Sequence, residues 1–151
     1  MSTALGQKAR NIMSNLSWLP PLLARLTLGY IFIESGWGKF HHLDKVVQFF
    51  TELKIPAPQI QAPFVAGVEL VCGTAVLLGL FTRLLSIPLI GTMIVAILTA
   101  KLSEITGLSD LFGAIEYLYI VLLTYLVIDG PGCLSIDHLM FGGCHKQESE
   151  S

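Results

Sequence analysis

Four long apolar stretches dominate the pattern of hydrophobic and polar positions along the chain. They cover about residues 20–38, 64–81, 84–102 and 111–128, with few charged positions in each. A helix of this length spans about 28 Å, which is close to the hydrocarbon core of a bilayer at ~30 Å. The pattern therefore predicts an all-α integral membrane protein, built as a bundle of four transmembrane helices.

The segment between the first two stretches, residues 39–63, has a different pattern. Its apolar residues recur at helical spacing on one face: Val46, Phe49, Phe50 and Leu53. Pro56 and Pro58 follow and should end that helix, because proline lacks a donor and forces an extended path. The segment is predicted to be a short amphipathic helix, lying flat at the membrane interface or folded back as a lid.

Composition supports a membrane protein and adds little about partners. Hydrophobic residues make up 53% of the chain and charged residues 13%, about half the charged share of a typical soluble domain. The net charge of −2 gives no sign of nucleic-acid binding. We expect one domain over residues 18–139, with a polar segment before it (1–17) and a polar tail after it (140–151).

Charged residues inside the predicted spans are the main functional candidates, because each costs roughly 2.5–3.5 kcal/mol to insert. Arg25, Glu69 and Glu116 lie on helix faces rich in small or aromatic residues, and Tyr119 shares the face of Glu116. We predict that the arginine and the two glutamates meet in one internal polar cluster. Two interpretations stay open: a network that only fixes helix packing, or a polar chamber for a quinone head group, a proton or another small ligand.

Further candidates lie outside this cluster. Lys39, His41, His42 and Arg83 are candidates for ligand or interface contacts. A second group follows the last span and could act in redox chemistry or metal binding: Cys133, His138, Cys144 and His145. Their spacing matches no closed metal motif, so ordinary tail residues are the favoured interpretation and no metal is assigned.

An ordered series of short motifs resembles the DoxX family of small membrane proteins. The motifs begin at Ala24 (ARLTLG), Gly36 (GWGKF), Ile55 (IPAP), Glu69 (ELVCG), Gly79 (GLFTR) and Gly130 (GPGCLSID). The resemblance implies a four-helix membrane fold in the plasma membrane, with both termini cytoplasmic. It also implies that some relatives serve quinone-linked or thiol-linked oxidoreductase systems, while most have no assigned activity.

Two functional hypotheses follow. The first is a membrane subunit of a quinone- or thiol-linked redox system with a polar intramembrane site. The second is a non-enzymatic membrane anchor, small-ligand carrier or partner-docking protein that uses residues 39–63. No flavin, haem or nucleotide motif is present, so the cofactor is unknown and quinone is the candidate ligand. The expected partners are the lipid bilayer and a protein subunit or second copy, without nucleic acid.

Overall fold

The computed structural model describes residues 16–102, 105–132 and 134–141, and these ranges are helical apart from turns and short connections. The helices, numbered in chain order, are α1 Leu19–His41, α2 Leu43–Glu52, α3 Pro58–Leu78, α4 Thr82–Ala96, α5 Leu108–Gly113, α6 Ile115–Asp129 and α7 Ile136–Phe141. A π-helical turn, Ile97–Lys101, extends α4. The predicted all-α fold is confirmed.

The four long helices form a ring in which neighbours in space are antiparallel. α1 packs against α3 and α6, and α4 packs against the same two helices from the opposite side. The short helix α2 packs against α3. The core between them is apolar and is formed mainly by these buried residues: Leu28 and Phe32 of α1, Cys72 and Val76 of α3, Leu89 and Met93 of α4, and Leu123 and Leu126 of α6.

The outer surface of this bundle is apolar, as expected for a protein surrounded by lipid. Phe64 is 67% exposed and Ile128 is 69% exposed, although burial of such side chains would be favourable in water. Within the described residues, two helices are long and apolar enough to cross a membrane: α3, with mean hydropathy 1.6, and α4 with its π-helical turn, with mean hydropathy 1.9. The other two predicted spans correspond to α1, which carries more charge, and α6, which has 15 residues.

Two helix boundaries differ from the prediction. α3 begins at Pro58 and not near residue 64, since Pro58 occupies the start of the helix, where a missing N–H is harmless. Pro63 is accommodated inside the helix. The predicted fourth span is divided at Ala114, whose extended backbone (φ −70°, ψ 128°) separates α5 from α6. Glu116 consequently lies in the first turn of α6.

Glycines bring α1 and α3 into backbone contact. A Cβ atom at Gly36 would lie 2.7 Å from the Leu70 nitrogen, and one at Gly29 would lie 2.6 Å from Leu77 Cβ. Such distances leave no room for a side chain, so the close approach depends on glycine. This contact fixes the register of the two helices and thereby the depth of every charged residue they carry.

Candidate functional site

A buried ion pair joins α1 and α3. Lys39 Nζ lies 2.5 Å from Glu69 Oε1 and 2.6 Å from Oε2, so it contacts both carboxylate oxygens. The Ser35 hydroxyl donates a hydrogen bond of 2.9 Å to Glu69 Oε2. The Glu69 side chain is 1% exposed, whereas that of Lys39 is 29% exposed. The carboxylate is therefore satisfied inside the protein, and its cation reaches it from the edge of the bundle.

The Lys39–Glu69 pair lies on the wall of a half-open cavity of about 630 Å³ bordered mainly by α2, α3 and α4. This volume lies within the range of small-molecule sites, roughly 300–1,000 Å³. The polar lining residues include Lys39, Lys45, Glu69, Gln61, Thr92 and Thr99; the apolar ones include Val46, Phe49, Phe50, Leu53, Phe64, Val65, Val68 and Met93. An apolar wall with a few polar groups suits a ligand that has an apolar body and a small polar head.

Helix α2 covers this cavity with its apolar face. Val46, Phe49, Phe50 and Leu53, predicted to share one face, all line the cavity. None of the residues of α2 is fully buried, because the face turned inward borders a cavity and not a packed core. Of the two predicted arrangements, the lid folded back on the bundle agrees with this structure.

The connection after α2 has two residues in the left-handed region of the backbone. Lys54 has φ +55° and Ala57 has φ +50°, a conformation that costs about 1 kcal/mol or more in residues with a Cβ atom. They flank Ile55, which is buried and lines the cavity. The strained turn thus folds Ile55 inward and ends the lid.

Arg25 lies at the opposite end of the bundle. Its guanidinium donates through Nη2 to the Leu134 carbonyl and packs against Gly79, where any side chain would overlap it. The side chain is 1% exposed, and Nε has no hydrogen-bond partner within the described residues. Arg25 therefore binds the segment that precedes α7 to the turn between α3 and α4.

Asp137 completes this contact at the N-terminus of α4. Its carboxylate accepts hydrogen bonds from the backbone N–H groups of Phe81, at 2.7 Å, and Thr82, at 3.0 Å. Its own N–H donates to the Gly79 carbonyl at 2.9 Å. A carboxylate at a helix N-terminus also interacts favourably with the helix dipole. These hydrogen bonds hold α7 against the bundle.

The prediction of one cluster containing Arg25, Glu69 and Glu116 is wrong. Phe32 lies against Gly73 and Gly36 lies against Leu70. Glu69 is therefore at the same depth as the C-terminal end of α1, which carries Lys39. Arg25 is at the same depth as the C-terminal end of α3. Glu116 lies at the N-terminal end of α6, whereas the C-terminal end of α6 contacts Arg83 at the start of α4. Arg25 and Glu116 are therefore at opposite ends of the bundle.

Glu116 and Tyr119 do not line the cavity. Glu116 Oε2 is buried and has no hydrogen-bond partner in the described parts of the chain. The ring of Tyr119 packs edge-on against Phe32, with 6.0 Å between the ring centroids. This side of α6 belongs to the contact with α1, away from the lid.

The remaining candidates have local contacts outside the cavity. His41 donates from Nδ1 to the Trp37 carbonyl at 3.0 Å and packs at a tilt against that tryptophan ring. His42 separates α1 from α2. Arg83 lies 3.4 Å from the Asp129 carbonyl oxygen, which it contacts through Nη2.

The tail candidates are only partly described. Cys133, Cys144 and His145 lie outside the described residues. His138 donates its backbone N–H to Ser135 Oγ at 3.1 Å, and its buried Nδ1 has no hydrogen-bond partner among the described residues. No group of three or more potential metal ligands occurs in the described ranges.

Three residues of these sites were not among the candidates: Ser35, Lys45 and Asp137. Ser35 lies one helical turn before Lys39, so the spacing of four residues was a usable signal. Lys45 lies on α2 next to Val46, and both residues line the cavity. A lysine on an amphipathic helix normally indicates the solvated side, so the sequence did not suggest this role. Asp137 is the last residue of the GPGCLSID motif, which marked the segment but gave no role to this carboxylate.

Comparison with known proteins gives a consistent family. Residues 21–102 match the model of the DoxX family. The chain is 34% identical over 124 residues to the Bacillus subtilis protein named "Putative oxidoreductase CatD", covering 81% of this chain and 87% of the relative. It is 34% identical over 131 residues to the "Uncharacterized membrane protein Rv3486" of Mycobacterium tuberculosis, covering 78% and 80% of the two chains.

A third relative is the Escherichia coli "Inner membrane protein YphA", which is 30% identical over 121 residues, covering 77% of this chain and 86% of the relative. No solved structure is significantly similar to the chain. The family match covers more than half of the chain, and the relatives are similar over most of their length. The chain therefore belongs to the DoxX family of membrane proteins.

Proposed function

We propose that this protein is the membrane subunit of a redox system and binds a quinone in the cavity beneath α2. The observation that carries the proposal is the Lys39–Glu69 pair on the wall of a largely apolar cavity of about 630 Å³. A quinone combines an apolar ring and chain with two carbonyl oxygens, which accept hydrogen bonds. The oxidoreductase name of one relative agrees with a redox role.

In this proposal Lys39 donates a hydrogen bond to one quinone oxygen. Its ammonium group is held in place by Glu69, so it is oriented before the ligand arrives. Reduction of a quinone to a quinol takes up two electrons and two protons. A partner protein supplies the two electrons. The Lys39–Glu69 pair, which opens to the edge of the bundle, passes one proton to the quinone oxygen that Lys39 contacts, and the second quinone oxygen takes its proton from solvent at the open side of the cavity.

The test uses two pairs of matched variants. Gly91 lines the cavity and has no atom near its Cβ position, so Gly91→Leu should fill the cavity without a backbone clash. Gly67 also has free space at that position and does not line the cavity, so Gly67→Leu is its control. Glu69→Gln keeps the shape of the pair while removing the negative charge, and Glu116→Gln is the control outside the cavity.

Each variant is purified in mild detergent, its stoichiometry of extracted quinone is measured, and the variant is tested by complementation in the native host. We expect quinone with the wild type, Gly67→Leu and Glu116→Gln, and at least a tenfold loss with Gly91→Leu. Glu69→Gln should fold normally but lose activity. Absence of quinone from the wild-type protein, together with a stoichiometric protein partner, would contradict the proposal and favour an anchoring role.

A small-ligand carrier without redox chemistry is the second candidate. The lid favours this candidate over a docking role, because α2 turns Val46, Phe49 and Phe50 toward the cavity. For a carrier, ligand binding would still be lost in Gly91→Leu. The activity of Glu69→Gln in complementation would then depend only on how much ligand the variant binds, and not on proton transfer by the Lys39–Glu69 pair.

A further inference from the structure

The charged residues on the cavity wall do not balance. Two lysines, Lys39 and Lys45, and one carboxylate, Glu69, line it. Glu69 is already engaged by Lys39 and by the Ser35 hydroxyl. Lys45 comes from the lid and has no ion-pair partner within the described part of the chain. The wall therefore carries one positive charge in excess, at the edge of an apolar cavity.

We propose that Lys45 makes this cavity selective for ligands whose head group is an ionised hydroxyl on a quinone-type ring. This inference rests on the proposed function and deepens it, because it identifies the charge state of the ligand that the site prefers. The neutral quinone needs only the hydrogen bond from Lys39. The ionised ring oxygen also gains from the second, unbalanced ammonium group on the lid.

The effect follows from where Lys45 lies. Its side chain is exposed at the rim, so water screens part of its charge and the gain resembles that of an exposed pair. The apolar cavity wall lowers the local dielectric constant and strengthens the attraction. We therefore expect a preference of roughly three- to tenfold for the anion, which is modest but measurable.

The experiment compares two probes of nearly equal size and shape. The first probe is 2-hydroxy-1,4-naphthoquinone, whose hydroxyl on the quinone ring is ionised at neutral pH, and the second is its methyl ether, which is neutral. Their dissociation constants are measured by equilibrium binding to the full-length protein in one detergent. Only ratios between variants are compared, so the different partition of the two probes into micelles cancels.

Three variants separate the contributions. Lys45→Gln removes the charge, and Lys45→Glu reverses it. Lys54→Gln removes a neighbouring lysine that follows the lid but does not line the cavity. We expect the anionic probe to lose roughly three- to tenfold in affinity in Lys45→Gln and more in Lys45→Glu. The neutral ether should be unaffected in all three, and Lys54→Gln should behave as the wild type.

The possible outcomes are distinct. If both probes bind the wild type and Lys45→Gln leaves their ratio unchanged, the inference is overturned and the quinone site stands. If neither probe binds above the level of Gly91→Leu, the inference and the proposed function fail together. If oleate occupies the cavity while hydroxynaphthoquinone cannot displace it, the lid lysine serves a lipid carboxylate, and the inference is again overturned.

Discussion

The Lys39–Glu69 pair is the residue-scale feature on which the site depends. Glu69 is almost fully buried, and Lys39 and Ser35 satisfy its carboxylate oxygens inside the protein. Lys39 is partly exposed and could turn toward the interface if its partner were lost. The two residues therefore contribute unequally to stability, and removing the cation should destabilise the fold more than removing the carboxylate.

A double-mutant cycle measures this inequality. We expect Lys39→Met to lower the free energy of unfolding by roughly 3–5 kcal/mol, because it leaves a buried carboxylate without its cation. Glu69→Gln should cost less, and the double variant should be more stable than Lys39→Met alone. The measurement is unfolding in mixed micelles, with Glu34→Gln, at an exposed position on the same helix, as control. A double variant as unstable as the sum of the two single changes would contradict coupling.

Arg25 illustrates what the sequence could and could not predict at this scale. Helical periodicity correctly placed Arg25 and Glu69 on inner faces of their helices, because spacing along a helix determines direction around its axis. It could not determine depth. Which residues of α1 and α3 are level depends on their register, set by contacts such as Gly36 against Leu70. The predicted partner of Arg25 was wrong for this reason.

At the scale of elements, α1 and α3 form the closest helix pair. Small residues on both helices let the backbones touch, and Gly73 accepts Phe32 at a position where a Cβ would lie 2.8 Å from Phe32 Cβ. This pair carries both members of the Lys39–Glu69 ion pair. A change in their spacing should therefore alter the site as well as the stability of the bundle.

Gly36→Ala and Gly38→Ala form a matched test of this packing. A Cβ at Gly36 would lie 2.9 Å from the Ala66 carbonyl oxygen, whereas one at Gly38 has nothing within 4 Å. We expect Gly36→Ala to destabilise the protein by about 1–3 kcal/mol through overpacking. Gly38→Ala should be neutral or slightly stabilising, since alanine is the better helix former by roughly 1 kcal/mol. Thermal unfolding in detergent distinguishes them; equal melting temperatures would refute the close contact.

The elements themselves were largely predictable, and the exceptions have local causes. Long apolar stretches identified α1, α3 and α4 because a membrane span needs about twenty such residues. The start of α3 was missed because two prolines normally end a helix, yet Pro58 sits at its first position. The division at Ala114 was missed because residues on both sides of it continue the apolar pattern.

At the scale of the whole molecule, the antiparallel ring divides the chain between two faces. Arg25, Gly79, Asp129 and α7 lie at one end, while the lid α2 and residues 105–110 lie at the other. The sequence already implied this alternation, but its basic residues do not orient the protein. Cytoplasmic termini remain a prediction from the family resemblance.

Site-specific labelling tests this orientation. Glu52→Cys, on the exposed side of the lid, and a cysteine introduced at residue 150 in the tail are compared in a background that lacks the native cysteines. In intact cells, an impermeant maleimide should label the lid position and not the tail. Permeabilised cells should label both positions, which controls for accessibility. Labelling of the tail alone in intact cells would reverse the orientation.

The separation of the two charged ends has a consequence for the energetics of the membrane. Leu28, Phe32 and Val76, each at most 1% exposed, lie between Arg25 and the Lys39–Glu69 pair. Protons move through proteins along chains of hydrogen-bonding groups or water. These three side chains have no hydrogen-bonding group, and the buried hydroxyls of Thr82 and Ser86 on α4 have no hydrogen-bond partner within the described residues. The bundle can therefore carry ionised side chains within the bilayer without a proton leak that would dissipate the proton-motive force. If the proposed quinone chemistry takes place in the cavity, its protons would enter and leave from the face that carries the lid. The charge moved across the membrane would then be set by the face from which the partner protein delivers the electrons.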